Sequence, residues 1–206
     1  MTITRPGKIV CVGRNYRDHA KEMGNDVPKE PLIFLKPSSS VIASGEAIVL
    51  PQQSTHVEHE GEIGVVIGKT LRRATGEEAR KAVGKIIAAN DVTARDLQRS
   101  DSQWTRAKGF DTFCPLGEPG DPPDDLANLT VVTRVNGVER QRGKGSDMVF
   151  SIPDVLAYVS HIMTLDPGDL VLTGSPAGVG KLSPGDEVEV EVLGVSRVRN
   201  PVTAEA

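Results

Sequence analysis

A chain of 206 residues with 38% hydrophobic and 25% charged side chains has the makeup of a soluble globular protein with one well-buried core. Its 24 basic and 28 acidic residues give a formal charge of -4 with no Lys/Arg block, which disfavours nucleic-acid binding. No stretch is apolar enough to span a membrane and MTITRPGKIV lacks the apolar run of a secretion signal, so the expectation is a cytoplasmic protein with no membrane partner.

Aromatic residues are only 3%, so aliphatic side chains must build the core, and 14 prolines with 21 glycines favour many turns and a strand-rich fold. Cys11 and Cys114 fit no metal or redox spacing and read as reduced, buried thiols. Residues 8–13 read as a short buried strand. Asn15 is placed to cap a helix of about two turns that Gly24 would stop. On that helix His19 and Glu22 stand three residues apart and share a face. Residues 32–36 and 47–50 read as further strands.

The run His59-Glu60-Gly61-Glu62-Ile63-Gly64-Val65-Val66-Ile67 carries the densest signal. As a strand it puts Ile63, Val65 and Ile67 on a core face and Glu60 and Glu62 on the other, with roughly 6–7 Å between their Cα atoms. Two carboxylates projecting together repel unless a cation lies between them, and a hard divalent ion can accept both. An exposed strand with a polar face is the plainer reading of the pair alone. Glu58 falls on the same face and reads as a solvated rim residue.

Thr75 can cap a helix over 77–83. Residues 86–90 then form an apolar strand that breaks at Asn90-Asp91, where Asp91 is either aimed rigidly at a site or caps a helix, with Arg95 one turn on to hold its carboxylate. Residues 104–115 have little periodicity and read as a loop. Strands are expected at 129–136 and 138–142 around an Asn136-Gly137 hairpin turn, a helix from Ser151 to about 163, and strands at 170–173 and 188–192. The stretch Thr173-Gly174-Ser175-Pro176-Ala177-Gly178-Val179-Gly180-Lys181 matches neither common nucleotide-binding glycine pattern. It can still offer backbone N–H groups and the Ser175 hydroxyl to an anion.

Taken together, Gly13-Arg14-Asn15-Tyr16…His19…Glu22, Phe34-Leu35-Lys36-Pro37-Ser38, His59-Glu60-Gly61-Glu62, the run 90–98, Lys108-Gly109-Phe110-Asp111 and the run 173–180 resemble the fumarylacetoacetate hydrolase family along nearly the whole chain. The resemblance is to short members such as acylpyruvases and oxaloacetate decarboxylases. It implies one catalytic domain over 1–206, of mixed α+β, strand-rich class, with a mixed β-roll and short helices, in a homodimer.

By the same resemblance Glu60, Glu62 and Asp91 are metal ligands, an oxygen set that suits Mg²⁺ or Mn²⁺ over zinc, with Ca²⁺ as a possible substitute. His19 and Glu22 carry over as an acid–base pair on a lid, Lys108 as a catalytic cation, and Gln98 and Ser175 as substrate contacts. Ser175 stands where relatives often have Thr, so side-chain preference can differ. The expected substrate is a small anionic oxo acid, and the expected reaction is hydrolysis of a carbon–carbon bond in an acylpyruvate through a pyruvate enolate. Oxaloacetate decarboxylation and 2-hydroxyhepta-2,4-diene-1,7-dioate isomerisation are the alternatives on the same site. A metal-stabilised binding protein without catalysis is the rival from another class.

Overall fold

The computed structural model describes residues 5–22, 24 and 26–205. Residues 1–4 of the start, and Met23 in the expected first helix, lie outside the described residues. In chain order come β1 (Ile9–Gly13), α1 (Arg17–Glu22), β2 (Leu32–Lys36), β3 (Val41–Ile42), β4 (Ile48–Leu50), β5 (Val57–His59), β6 (Gly61–Ile67), α2 (Gly76–Lys81), β7 (Val83–Asn90) and β8 (Thr93–Ala94). There follow α3 (Arg95–Ser100), α4 (Thr105–Lys108), β9 (Cys114–Pro115), β10 (Thr130–Val135), β11 (Val138–Lys144), α5 (Ile152–Ile162), β12 (Leu170–Leu172), β13 (Gly180–Lys181), β14 (Glu187–Val192) and β15 (Ser196–Ala204).

One five-stranded sheet has the order β2-β1-β12-β6-β7, with β1 and β12 parallel and the other neighbours antiparallel. Both its faces are covered. Val10, Val12, Ile63, Val65, Ile67, Ile86 and Ala88 enter the main core, while Ile9, Cys11, Ile87, Ala89, Leu170 and Leu172 build a second cluster on the opposite side. Burial on both faces explains why these strands read as nearly continuous apolar runs.

The second sheet, β11-β10-β14-β15-β4, shows the contrasting pattern. In β14 Val188, Val190 and Val192 are buried, while Glu189 and Glu191 pair with Arg134 at 3.0 Å each. That is the alternation of a sheet with one face on the core and one wet. The Asn136-Gly137 turn joins β10 to β11 with both residues at positive φ, 52° and 78°, as a twist-matched two-residue hairpin requires.

Three local expectations change. Asn15 is not a helix cap: its amide donates to the carbonyls of Phe150 and Thr173 and its oxygen accepts from Phe150 N–H, so it ties three segments together. The helix capped by Thr75 ends at Lys81, because Val83 already starts β7. Residues 105–108 of the expected loop form the short helix α4. No helix among the described residues is long and apolar enough to cross a membrane.

Candidate active site

The antiparallel pair β6–β7 ends with Gly61 opposite Asn90, and just beyond it the Asp91 N–H donates to Glu60 O at 2.8 Å. The Glu60 N–H in turn donates to the Asn90 side-chain oxygen at 2.9 Å, so Glu60 is tied to both Asp91 and Asn90 through its backbone. Gly61 separates Glu60 from Glu62 for a steric reason, since a Cβ there would stand 1.8 Å from Thr133 Oγ1. The result is a buried triad, Glu60, Glu62 and Asp91, with one carboxylate oxygen of each within 4.8 Å of the others. Asp91 lies outside the described helices, and the helix that follows it has Ala94 as its N-cap.

Three buried cations hold this charge. Lys108 Nζ reaches Glu60 Oε2 at 2.9 Å and Asp91 Oδ2 at 2.5 Å, and Lys36 Nζ reaches Asp91 Oδ1 at 2.6 Å. Arg95 does not hold Asp91. Its guanidinium bonds Glu58 at 2.7 Å and Glu60 at 2.5 Å, because the chain passes through β8 between Asp91 and α3 and so does not carry the two along one helix. Glu58 is correspondingly not a solvated rim residue but a buried partner of Arg95, with His56 on its other oxygen at 2.8 Å.

Four carboxylates thus face three cations, a formal net of -1. Burial would push Glu60 up, but Lys108 and then Arg95 hold it well below the usual carboxylate range. Glu62 goes the other way: burial first, then repulsion from Asp91 and Glu60, raises it. Its partner is the Gly174 N–H at 2.7 Å, and no described Lys or Arg forms an ion pair with it. Lys108 is lowered by burial but raised more by Asp91 and Glu60, so it stays protonated. Hard oxygen donors with one carboxylate short of a cation are the donor set a divalent ion of the Mg²⁺ class fits.

The triad opens into a cavity of about 360 Å³ whose wall also includes Arg14, His19, Glu22, Phe34, Arg95, Gln98, Arg99, Trp104, Lys108 and Ser175. Every residue expected at the site therefore lines one space. His19 is buried, and its Nδ1 lies 3.1 Å from Glu22 Oε2. Glu22 is fixed in turn by the Gly178 N–H at 3.0 Å. The N–H groups of the 173–180 loop do meet anions, and the anions are the protein's own glutamates.

The family model for the C-terminal domain of fumarylacetoacetate (FAA) hydrolase matches residues 8–203. The chain belongs to the fumarylacetoacetate hydrolase family. It is 43% identical to a mitochondrial oxaloacetate decarboxylase of Dictyostelium discoideum, covering 91% of this chain and 89% of the relative. It is 44% identical to a mitochondrial oxaloacetate tautomerase of Arabidopsis thaliana, covering 93% and 89%. The solved structure of a 2-hydroxyhepta-2,4-diene-1,7-dioate isomerase from Mycobacterium marinum superposes with a TM-score of 0.90 at 40% identity, covering 98% of this chain and 76% of that one. The strand-rich mixed α+β fold is thus that of the fumarylacetoacetate hydrolase family, and the chain is a member of an enzyme family.

Two further residues of this family member support the site, and composition did not single them out. Gln141 on β11 donates its amide to Ser175 Oγ at 2.7 Å and Pro176 O at 2.7 Å. Its oxygen then must accept, and it takes the Gly61 N–H and His59 Nδ1 at 3.0 Å each. That assignment makes His59 a neutral Nδ1–H tautomer, in keeping with burial lowering its pKa. Cys11 and Cys114 are free and buried as expected; burial raises the first and pushes the second up to about 12, so neither is a thiolate.

Proposed function

We propose that this protein moves a proton on a small 2-oxo acid of the oxaloacetate type, interconverting its keto and enol forms. The observation that carries this reading is the opening of two devices into one cavity: a buried carboxylate triad with its lysines, and a histidine–glutamate pair. Names of relatives support it, since those described above are called for tautomerisation, decarboxylation and isomerisation.

Glu60, Glu62 and Asp91 would hold Mg²⁺ or Mn²⁺, which when bound supplies Lewis-acid polarisation of a chelating 2-oxo acid. The remaining work falls to side chains. Glu22 accepts the Nδ1–H of His19, which leaves Nε2 free as the base that removes a proton from the carbon next to the carbonyl. The Lys108 ammonium offsets the negative charge that develops on the carbonyl oxygen. His19 then returns the proton, to oxygen or to carbon according to direction. Lys36 holds Asp91 in place.

Decarboxylation of oxaloacetate is the second reading, favoured by the same Lys108 position: loss of CO₂ leaves the pyruvate enolate, with its charge on the corresponding oxygen, and a protonated His19 delivers the proton to carbon. Acylpyruvate hydrolysis asks in addition for a water that His19 would activate. The test is the absorbance change of enol-oxaloacetate, with pyruvate release from oxaloacetate and acetylpyruvate measured beside it, in Mg²⁺, Mn²⁺ and EDTA. EDTA-sensitive ketonisation faster than any pyruvate release is expected. Pyruvate from oxaloacetate at the same rate would select decarboxylation, and pyruvate mainly from acetylpyruvate would select hydrolysis.

A further inference from the structure

We infer that Arg14 and Arg99 form a subsite for a second carboxylate, which makes the protein selective for dianionic over monoanionic 2-oxo acids. The inference rests on the reading that the triad end of the cavity holds the 2-oxo acid head.

Cations in the cavity wall divide into two kinds. Lys108 and Arg95 are each committed to carboxylates of the buried cage. Arg14 and Arg99 line the same cavity and, among the described residues, form no ion pair and no side-chain hydrogen bond. The acidic residue of the wall outside the cage, Glu22, is already engaged by His19 and Gly178. Two guanidiniums are therefore left uncompensated over a space whose inner end carries a formal -1, or +1 once a divalent ion is bound. An anionic group entering that space satisfies them, and a planar fork of donors matches a carboxylate best.

Local structure aims both residues there. Arg14 follows the last residue of β1 with φ of 59°, a left-handed conformation that a side chain other than glycine adopts at a cost. It is half-buried, so its charge is only partly screened by water. Arg99 stands one turn after Arg95 on α3, on the helix side that also brings Arg95 and Gln98 to the cavity. In the same wall the Trp104 ring closes against Gly13, where a Cβ would come within 2.9 Å of the ring, and meets Phe34 edge-on at 5.3 Å. Phe34 and Trp104 carry no charge, and Trp104 adds at most one neutral N–H donor, so the arginines supply the free positive charge of that wall.

The experiment compares binding of 2-oxoglutarate and 2-oxovalerate, two five-carbon 2-oxo acids that differ in the second carboxylate, by calorimetry with Mn²⁺ present. Wild type should bind the dianion about 10- to 100-fold more tightly, the scale of hydrogen bonds to charged groups. Arg99→Gln should remove much of that preference, Arg14→Gln with Arg99→Gln all of it, and Arg99→Glu should reverse it, while affinity for 2-oxovalerate stays within about 3-fold. Arg99 is exposed, so its variants keep the test sound even if Arg14 variants fold poorly. Equal affinity of wild type for the two acids, or a preference that survives Arg99→Gln and the double variant, overturns the inference. Failure of wild type to act on oxaloacetate with the dianion preference intact would instead sink the proposed reaction and leave the subsite standing.

Discussion

Glu22, the partner of His19, is itself held by the backbone N–H of Gly178, 156 residues away in sequence. The short helix α1 is thereby latched to the loop that also donates Gly174 N–H to Glu62. His19→Ala should lower kcat by about 10²- to 10⁴-fold while leaving Mn²⁺ affinity near normal. Glu22→Ala should cost about 10- to 100-fold through loss of ring orientation. Kinetics beside metal titration checks both, and a matching loss of metal affinity would show that His19 acts in metal binding instead.

Lys36 is buried and faces Asp91 as its counter-charge. Lys36→Met leaves a buried carboxylate short of a partner, a defect of about 3–5 kcal/mol. The melting temperature should fall by several degrees in EDTA and recover more with Mn²⁺ than wild type gains, since a divalent ion supplies the missing charge. Equal metal-induced shifts in both proteins would reject that role.

Gln141 acts through others. Gln141→Leu would orphan the His59 Nδ1–H and the Gly61 N–H and release the Ser175 hydroxyl. KM for the 2-oxo acid should rise several-fold with kcat changed less. A loss confined to kcat would argue that Ser175 is not a binding contact.

Asp96 gives a pH signature outside the triad. Slight burial pushes it up, but the Ser54 hydroxyl, the N–H groups of Thr55 and Leu97 and the Thr55 hydroxyl hold it at about 2, against an ordinary 3.8. A depressed carboxylate adds stability that is complete above its unfolded value and is lost as pH falls through the folded one. Wild type should therefore exceed Asp96→Asn in melting temperature at pH 6, with the difference shrinking between pH 4 and 2. A difference that stays constant to pH 2 would assign the effect to side-chain packing.

What could be read from the chain and what could not divides by the range of the interaction. Strand alternation and a strand end are local properties, so the residues alone suggest Glu60, Glu62 and Asp91 as candidates, and the family resemblance is what joins them into one triad. Of the cations that hold them, Lys108 comes with the resemblance, whereas Lys36 lies 55 residues from Asp91 and neither its strand nor its spacing announces the pair. Arg95 suggested the wrong partner because one helical turn was assumed where β8 intervenes. β15 escaped notice since its inner face carries Ser196 and Asn200 among the valines, polar groups paid for by bonds to Glu118, Ala43 and Glu46 carbonyls. Gln141 hid in the polar run of β11, with its partners on other elements.

The lysine and arginine cage has a consequence for how the protein is controlled. Because internal ammonium and guanidinium groups already neutralise most of the triad, the chain can reach its working shape before any ion arrives. Chelation should then silence the molecule without unfolding it, and returning the ion should restore it without refolding. Under the proposed metal dependence, metal supply would set turnover while the amount of folded protein stays the same.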